Sequence, residues 1–311
     1  MSELAVLSIA VSIAMTVIGA ATPILIAALG ELVAEKSGVL NLGVEGMMLV
    51  GAVSGFAAMT LTGFGFAGVL AAMVGGMLAS LIFAFLTLTL TANQVATGLA
   101  LTIFGVGLSS LMGEGFVGRT VPVFGAVFPE ALAEHPFWRI VFGHSPLVYF
   151  SFVMTAAVGW FLTRSRSGLK LRAVGESAES AHSIGYPVNA IRYAAVAFGG
   201  GMAGIAGCYY SLVLTPMWAE EMTAGRGWIA LALVVFSAWR PWRLLAGAYL
   251  FGAVMTLELH TKAAGITLIA PELLSAMPYL ATIMVLALIS WRKSVGAQAP
   301  ACLGQAFKPT N

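Results

Sequence analysis

Residues 46–113 read GMMLVGAVSGFAAMTLTGFGFAGVLAAMVGGMLASLIFAFLTLTLTANQVATGLALTIFGVGLSSLMG, 68 positions without one Asp, Glu, Lys, Arg or His. No water-exposed surface tolerates such a run. About 20 apolar residues in a helix cross the ~30 Å hydrocarbon core of a bilayer. The stretch therefore predicts two or three crossings joined by tight turns. Helices satisfy their own backbone hydrogen bonds in lipid. A transmembrane β-barrel would show short alternating segments instead.

Outward from this stretch the pattern repeats. Leu4 to Gly30, Tyr193 to Ala219 and Leu273 to Trp291 are uncharged and long enough to span, and Ile140 to Thr163 is broken only by His144. Gly227 to Trp239 and Leu244 to Leu257 are shorter and are separated by Arg240, Pro241, Trp242 and Arg243. They read as tilted, broken or half-crossing helices. The fold class expected is all-α: a polytopic integral membrane protein with about eight to ten transmembrane or half-crossing helices. One membrane domain covers residues 1–293, with a polar loop at 164–192 inside it, and 294–311 is expected to be a flexible cytoplasmic tail.

Composition supports this reading: 59% of the residues are hydrophobic and 9% charged. A net charge of +2 gives no reason to expect nucleic acid as a partner. Position matters more than sum. Arg164, Arg166, Lys170, Arg172 and Arg192 lie in or beside the 164–192 loop, which the positive-inside rule places in the cytoplasm together with Arg240, Arg243, Arg292 and Lys293. Gly113 to His144 carries only Arg119 and Arg139 and falls on the opposite side. The amino terminus lacks a basic segment, so the first apolar run is expected to be a retained helix. Cys208 and Cys302 indicate no disulfide framework.

The chain offers no catalytic set. It has no aspartate and no Gly-Lys-Ser or Gly-Lys-Thr, so it lacks both a phosphate loop and a Walker-B acid. His135, His144, His182 and His260 are scattered without metal-ligand spacing, and no Gly-x-Ser-x-Gly occurs. No metal site, cofactor or enzymatic activity is expected in this chain. Transport or scaffolding remains.

The loop reads RSRSGLKLRAVGESAESAHSIGYPVNAIR over 164–192. Glu176 and Glu179 predict the amino end of a short helix, and Gly185 followed by Pro187 predicts its stop. Ala178, Ala181 and Ile184 would form one apolar face able to enter a groove on a partner.

Within the apolar segments a few polar residues stand out. Asn41 and Glu45 are four apart and would share a helix face, with Gly38, Gly43 and Gly46 between and around them. Glu45 would line a cavity, or else bond to a neighbouring helix near the cytoplasmic end. Asn93, Gln94 and Thr97 open a helix and suit either solute hydroxyls or capping and interhelical bonds. Thr223 and Arg226 precede a short apolar helix, and Arg226 would face a solute or pair with Glu220 or Glu221. Trp218 and Trp228 fit an interfacial belt or base stacking. Gly199, Gly200, Gly201, Gly204 and Gly207 predict a small-residue face for close helix packing.

Four blocks in order resemble the ATP-binding-cassette importer permeases of the branched-chain amino acid, simple-sugar and nucleoside family. They are Ala28 to Ala52 (containing LGELVAEKSGVLNLGVEGMMLVG), Ala92 to Leu101 (ANQVATGLAL), Gly168 to Leu212, and Met222 to Gly252, which begins MTAGRGWIALALVVF. The first and last look most like the nucleoside or sugar branch. Gly113 to His144 matches none of these blocks.

The resemblance implies a permease subunit in a bacterial inner membrane. Its partners would be a second permease, homologous or identical, an ATPase subunit holding ATP and Mg, and an extracytoplasmic solute-binding protein. It would import a nucleoside or related sugar-containing solute by alternating access. By the same resemblance Arg172, Glu176, Ala181, His182 and Gly185 would contact the ATPase, while the polar residues Asn41, Glu45, Asn93, Gln94, Thr97, Thr223 and Arg226 are the candidates to line the path. Alternatives are import of ribose, another simple sugar or branched-chain amino acids, a stand-alone proton-coupled transporter with Glu45 as carrier, and a membrane scaffold.

Overall fold

The structure, a computed structural model, describes residues 3–129, 132, 135–263 and 299–308, with single positions at 276, 280, 283, 284 and 287. Apart from these single positions, the predicted crossing from Leu273 to Trp291 lies outside the described residues. The order is α1 (Glu3–Lys36), α2 (Val44–Thr62), α3 (Gly65–Ala84), α4 (Gln94–Gly113), α5 (Pro136–Phe142), α6 (Pro146–Arg164), α7 (Arg166–Glu176), α8 (Ala178–Ser183), α9 (Val188–Tyr209), α10 (Arg226–Phe236) and α11 (Pro241–Ala263). Wider π turns extend α3 over Phe85–Thr89 and α9 over Tyr210–Leu214. Among the described residues the only strand-like pairings are two isolated bridges, Val117 with Trp218 and Thr120 with Met217.

Among the described residues seven helices, α1, α2, α3, α4, α6, α9 and α11, are long and apolar enough to cross a bilayer. The all-α polytopic fold is as expected, and the uncharged stretch at 46–113 makes three of the crossings. Punctuation follows local chemistry. Gly63 takes a left-handed φ of 68° and returns its N–H to Met59, ending α2. Proline occupies the first turn of α5 and α6 and opens α11 at Pro241, where its missing N–H costs nothing.

Three expectations change. The Leu244 to Leu257 run is not a half-crossing: Pro241 starts the helix before the run, and Glu258, His260 and Lys262 continue it beyond, giving a 23-residue α11. The polar loop holds two helices, not one. Glu176 closes α7, and α8 starts afresh because the Ser177 hydroxyl accepts the Ser180 N–H at 3.2 Å. Gly185 ends α8 as expected, at φ 88°.

The third concerns the tail, where 299–308 is bound rather than loose. Cys302 N–H donates to Gly175 O at 3.0 Å, Gly304 N–H to Gly38 O at 3.1 Å, and Arg192 Nη1 to Gln305 O at 3.1 Å. Phe307 is buried with Val174, Ala178, Ala181 and Val188.

The centre of the bundle is α9, packed on α1, α2 and α3. Glycine makes this possible by letting backbones touch. A Cβ on Gly204 would lie 2.0 Å from Ala72 O, and one on Gly207 would lie within 1.8 Å of Met48 O. The outward faces of α3 and α4 carry exposed Leu70, Val74, Leu78, Ile82, Ile103 and Leu111. Apolar atoms facing outward fit a hydrocarbon solvent.

Candidate functional site

Two breaks in the helical backbone meet inside the bundle. The first is the 37–43 segment between α1 and α2, which descends along α4. Leu40 N–H donates to Gln94 Oε1 at 2.8 Å, and Thr102 Oγ1, eight residues deeper on α4, donates to Leu42 O at 3.0 Å. Eight residues correspond to about 12 Å. The second is the 215–225 segment, which ends at the amino terminus of α10. That helix has 11 residues, about 16 Å, and leads out to the basic Arg240 and Arg243. Both paths place the junction inside the bundle, away from its basic end.

Glu45 closes the junction. Its Oε1 accepts from the Thr223 hydroxyl at 2.5 Å and from Gly225 N–H at 2.8 Å, and its Oε2 accepts from Gly227 N–H at 2.5 Å. A carboxylate at a helix amino end satisfies otherwise orphaned N–H groups and meets the favourable end of the dipole. Glu45 therefore bonds to a neighbouring element, the start of α10. Gly227 is required for this approach, because a Cβ there would lie 2.7 Å from Glu45 Cα. Thr223 is wholly buried.

Asn41 does not share a helix face with Glu45, because α2 begins only at Val44. Its Oδ1 accepts from Gly43 N–H at 2.9 Å in a local turn, and its own N–H donates to Glu31 Oε1 at 3.1 Å. Gln94 is buried beside it, with Nε2 lacking a partner among the described residues. Asn93 is the exposed cap of α4, accepting from Ala96 N–H at 3.0 Å, and Thr97 is half-buried one turn on. Glu31, with Glu35, which accepts from Trp239 Nε1 at 2.5 Å, was missed as a site candidate. Both sit in the quoted LGELVAEKSG block, four residues apart, and their burial was the missing signal.

Arg226 pairs with neither Glu220 nor Glu221. Its guanidinium lies 5.0 Å from the Tyr210 ring centroid, and Nη1 reaches Met222 O and Thr223 O at 3.4 and 3.3 Å. It opens onto a crevice of about 540 Å³ that is also lined by Thr16, Tyr210, Thr256, Glu258 and Lys262. The hydroxyls of Tyr210 and Thr256 are buried and have no hydrogen-bond partner among the described residues. Lys262 Nζ donates to Glu258 at 2.7 Å on the rim. The crevice thus sets a cation beside two residues whose hydroxyls are buried and unpaired, and it ends near the Glu45 clasp. Sequence reading found only Arg226 of this set; the rest lie on three helices brought together by packing.

Trp218 is no stacking platform: it is buried against Gly113. Trp228 is partly exposed. The segment before α6 folds over the end of the bundle away from Arg164, where Phe124 N–H donates to Leu212 O at 2.9 Å and its ring packs on Phe66. His144 is buried there, its ring Nε2 3.0 Å from Ile140 O, and burial holds its pKa below the ordinary value.

At the opposite, basic end lie the residues expected to meet an ATPase. Arg172, Glu176, His182 and Gly185 are exposed, and Ala181 is buried. Ala178 and Ala181 pack within this chain, whereas Ile184 is 68% exposed. Glu176 accepts Ala301 N–H at 3.1 Å, and His182 meets Phe307 edge-on at 5.5 Å.

The sequence profile described as branched-chain amino acid transport system / permease component matches residues 13–288. The "Putative glucose ABC transporter permease protein" of Haloferax volcanii is 41% identical, covering 97% of this chain and 98% of its own length. A nucleoside ABC transporter permease protein of Lactococcus lactis is 28% identical, and a guanosine ABC transporter permease protein of Bacillus subtilis is 29% identical. Each of these two covers 86% of this chain and 88% of its own length. Seven membrane-length apolar helices among the described residues, a clasped break inside the bundle and a match along most of its length lead to one conclusion: the chain belongs to this family of ABC transporter permeases, as a multi-pass membrane protein.

Proposed function

We propose that this chain is half of the membrane channel of an ATP-driven importer for a sugar-containing solute, a nucleoside or a simple sugar. The observation that carries the solute class is the crevice bounded by Arg226, with the unpartnered hydroxyls of Tyr210 and Thr256. Hydroxyls both donate and accept, so they match the polyhydroxyl rim of a sugar ring. A branched-chain amino acid would leave them unpaired against an aliphatic side chain. The similarity to sugar and nucleoside permeases supports the same class.

In this reading a separate ATPase docks at the basic end against Arg172, Glu176, Ala181, His182 and Gly185. A second permease completes the channel, and an extracytoplasmic binding protein delivers solute to the outer end. Glu45, Thr223 and Arg226 form the clasped joint of the path, while Asn41, Asn93, Gln94 and Thr97 shape its wall beside α4.

The test is uptake of labelled glucose, ribose, guanosine and uridine by cells with and without the chain, with leucine as competitor. Loss of sugar or nucleoside uptake that leucine does not inhibit is expected. Loss of leucine uptake alone would overturn the solute class. Tyr210→Phe and Thr256→Val should each raise the apparent KM about fivefold, on the order of 1 kcal/mol per lost hydrogen bond.

A further inference from the structure

A second cavity, of about 470 Å³, opens between α6, α7 and α9. Its walls are apolar: Met154 and Phe161 on α6, Ile191 and Phe198 on α9. Its polar lining side chains, Ser167 and Lys170, both come from α7. The place of the cavity along the membrane normal is informative. Met154 precedes Arg164, the basic end of α6, by ten residues, or about 15 Å of helix. That is half of a ~30 Å hydrocarbon core. On α9, Ile191 to Phe198 covers about 10 Å of the same depth. The cavity therefore runs from the basic boundary to near the midplane, the depth of one leaflet.

Such a cavity is suited neither to water nor to the transported solute. Apolar cavities stay dry, and a polyhydroxyl solute would leave its hydroxyls unpaired against these walls. An alkyl chain satisfies the walls. The charge at the mouth selects the headgroup. Lys170 Nζ lies 5.5 Å from the Tyr186 ring centroid, and no described carboxylate forms an ion pair with it. Arg164 and Arg166, both exposed at the α6–α7 joint, add to the same positive boundary. Basic pockets between helices on the cytoplasmic side recognise anionic lipid headgroups.

We propose that this cavity holds one acyl chain of a cytoplasmic-leaflet phospholipid, with the headgroup phosphate against Lys170. The lipid would brace α7, the first helix of the loop facing the basic end, against α6 and α9.

The test uses the full chain in nanodiscs of equimolar phosphatidylglycerol and phosphatidylcholine, released for native mass spectrometry. A retained phosphatidylglycerol adduct is expected on the wild type. Ala157→Phe with Ala194→Phe, two exposed lining positions, should cut that adduct at least tenfold. Lys170→Glu should remove the preference for phosphatidylglycerol. Ala100→Phe, exposed on α4, serves as the control and should retain it. Equal retention of both lipids by the wild type, or an undiminished adduct on the filled variant, would overturn the proposal. A diazirine-tailed phosphatidylglycerol gives a readout on the unmutated chain. Labelling within 154–161 or 191–198 is expected. Labelling confined to other helices, or protein cross-links from the Ala157→Cys variant in place of lipid labelling, would also overturn it.

Discussion

Glu45 shows how one buried carboxylate can hold two chain breaks together. It spends three acceptor interactions on Thr223, Gly225 and Gly227, so its main work is to hold the start of α10 against α2. Glu45→Gln keeps one oxygen but turns an amide donor toward a backbone donor. The expected cost is about 1–3 kcal/mol of stability, seen as a lower thermal midpoint in micelles, with uptake reduced at least tenfold. A variant that keeps both its midpoint and ATP-driven uptake would refute the clasp.

His144 allows a pH prediction. Burial lowers its folded pKa, so the unfolded chain binds more protons. Its contribution is present above the unfolded value of about 6.5 and is lost as pH falls below it. Thermal midpoints should fall between about pH 7.5 and 5.5, and less steeply in His144→Gln.

At the scale of elements, α9 is the packing hub, and its glycine face carries the load. Gly204→Leu would drive a side chain into the backbone of α3 at Ala72. Overpacking of this kind costs about 1–3 kcal/mol. The expected result is loss of a monodisperse folded protein or of uptake; intact uptake would remove α9 from any role in close packing. The apolar face foreseen on the loop also changes meaning. Ala178 and Ala181 are spent on a small core shared with Phe307, leaving Ile184 and the exposed Leu169 as the apolar groups presented outward.

Over the whole molecule, the basic end is assembled from distant segments: the end of α1, the α7–α8 loop, the start of α9 and residues 299–308. Arg192 ties them, with Nε donating to Ser37 O at 3.2 Å and Nη1 to Gln305 O. Removing residues 299–311 should expose α7 and α8 to limited proteolysis and lower solute-stimulated ATPase activity of the assembled transporter several-fold. Unchanged proteolysis and coupling would show that the tail contributes nothing to this joint.

Crossings and family were legible in the chain itself, because a bilayer imposes constraints on composition and length that leave a continuous signal in residues such as 46–113. The four sequence blocks carried the permease assignment in the same way. What Asn41, Glu45, Gln94 and Arg226 touch was not legible. Their partners, Glu31, Gly227, Leu40 and Tyr210, lie on other segments, and the contacts exist only once α9 has drawn the helices together. The α11 crossing, the anchored tail and the unpaired hydroxyls of Tyr210 and Thr256 were decided by tertiary structure for the same reason. Hydropathy reports what a residue avoids, whereas a hydrogen bond or a filled cavity depends on which neighbour packing supplies.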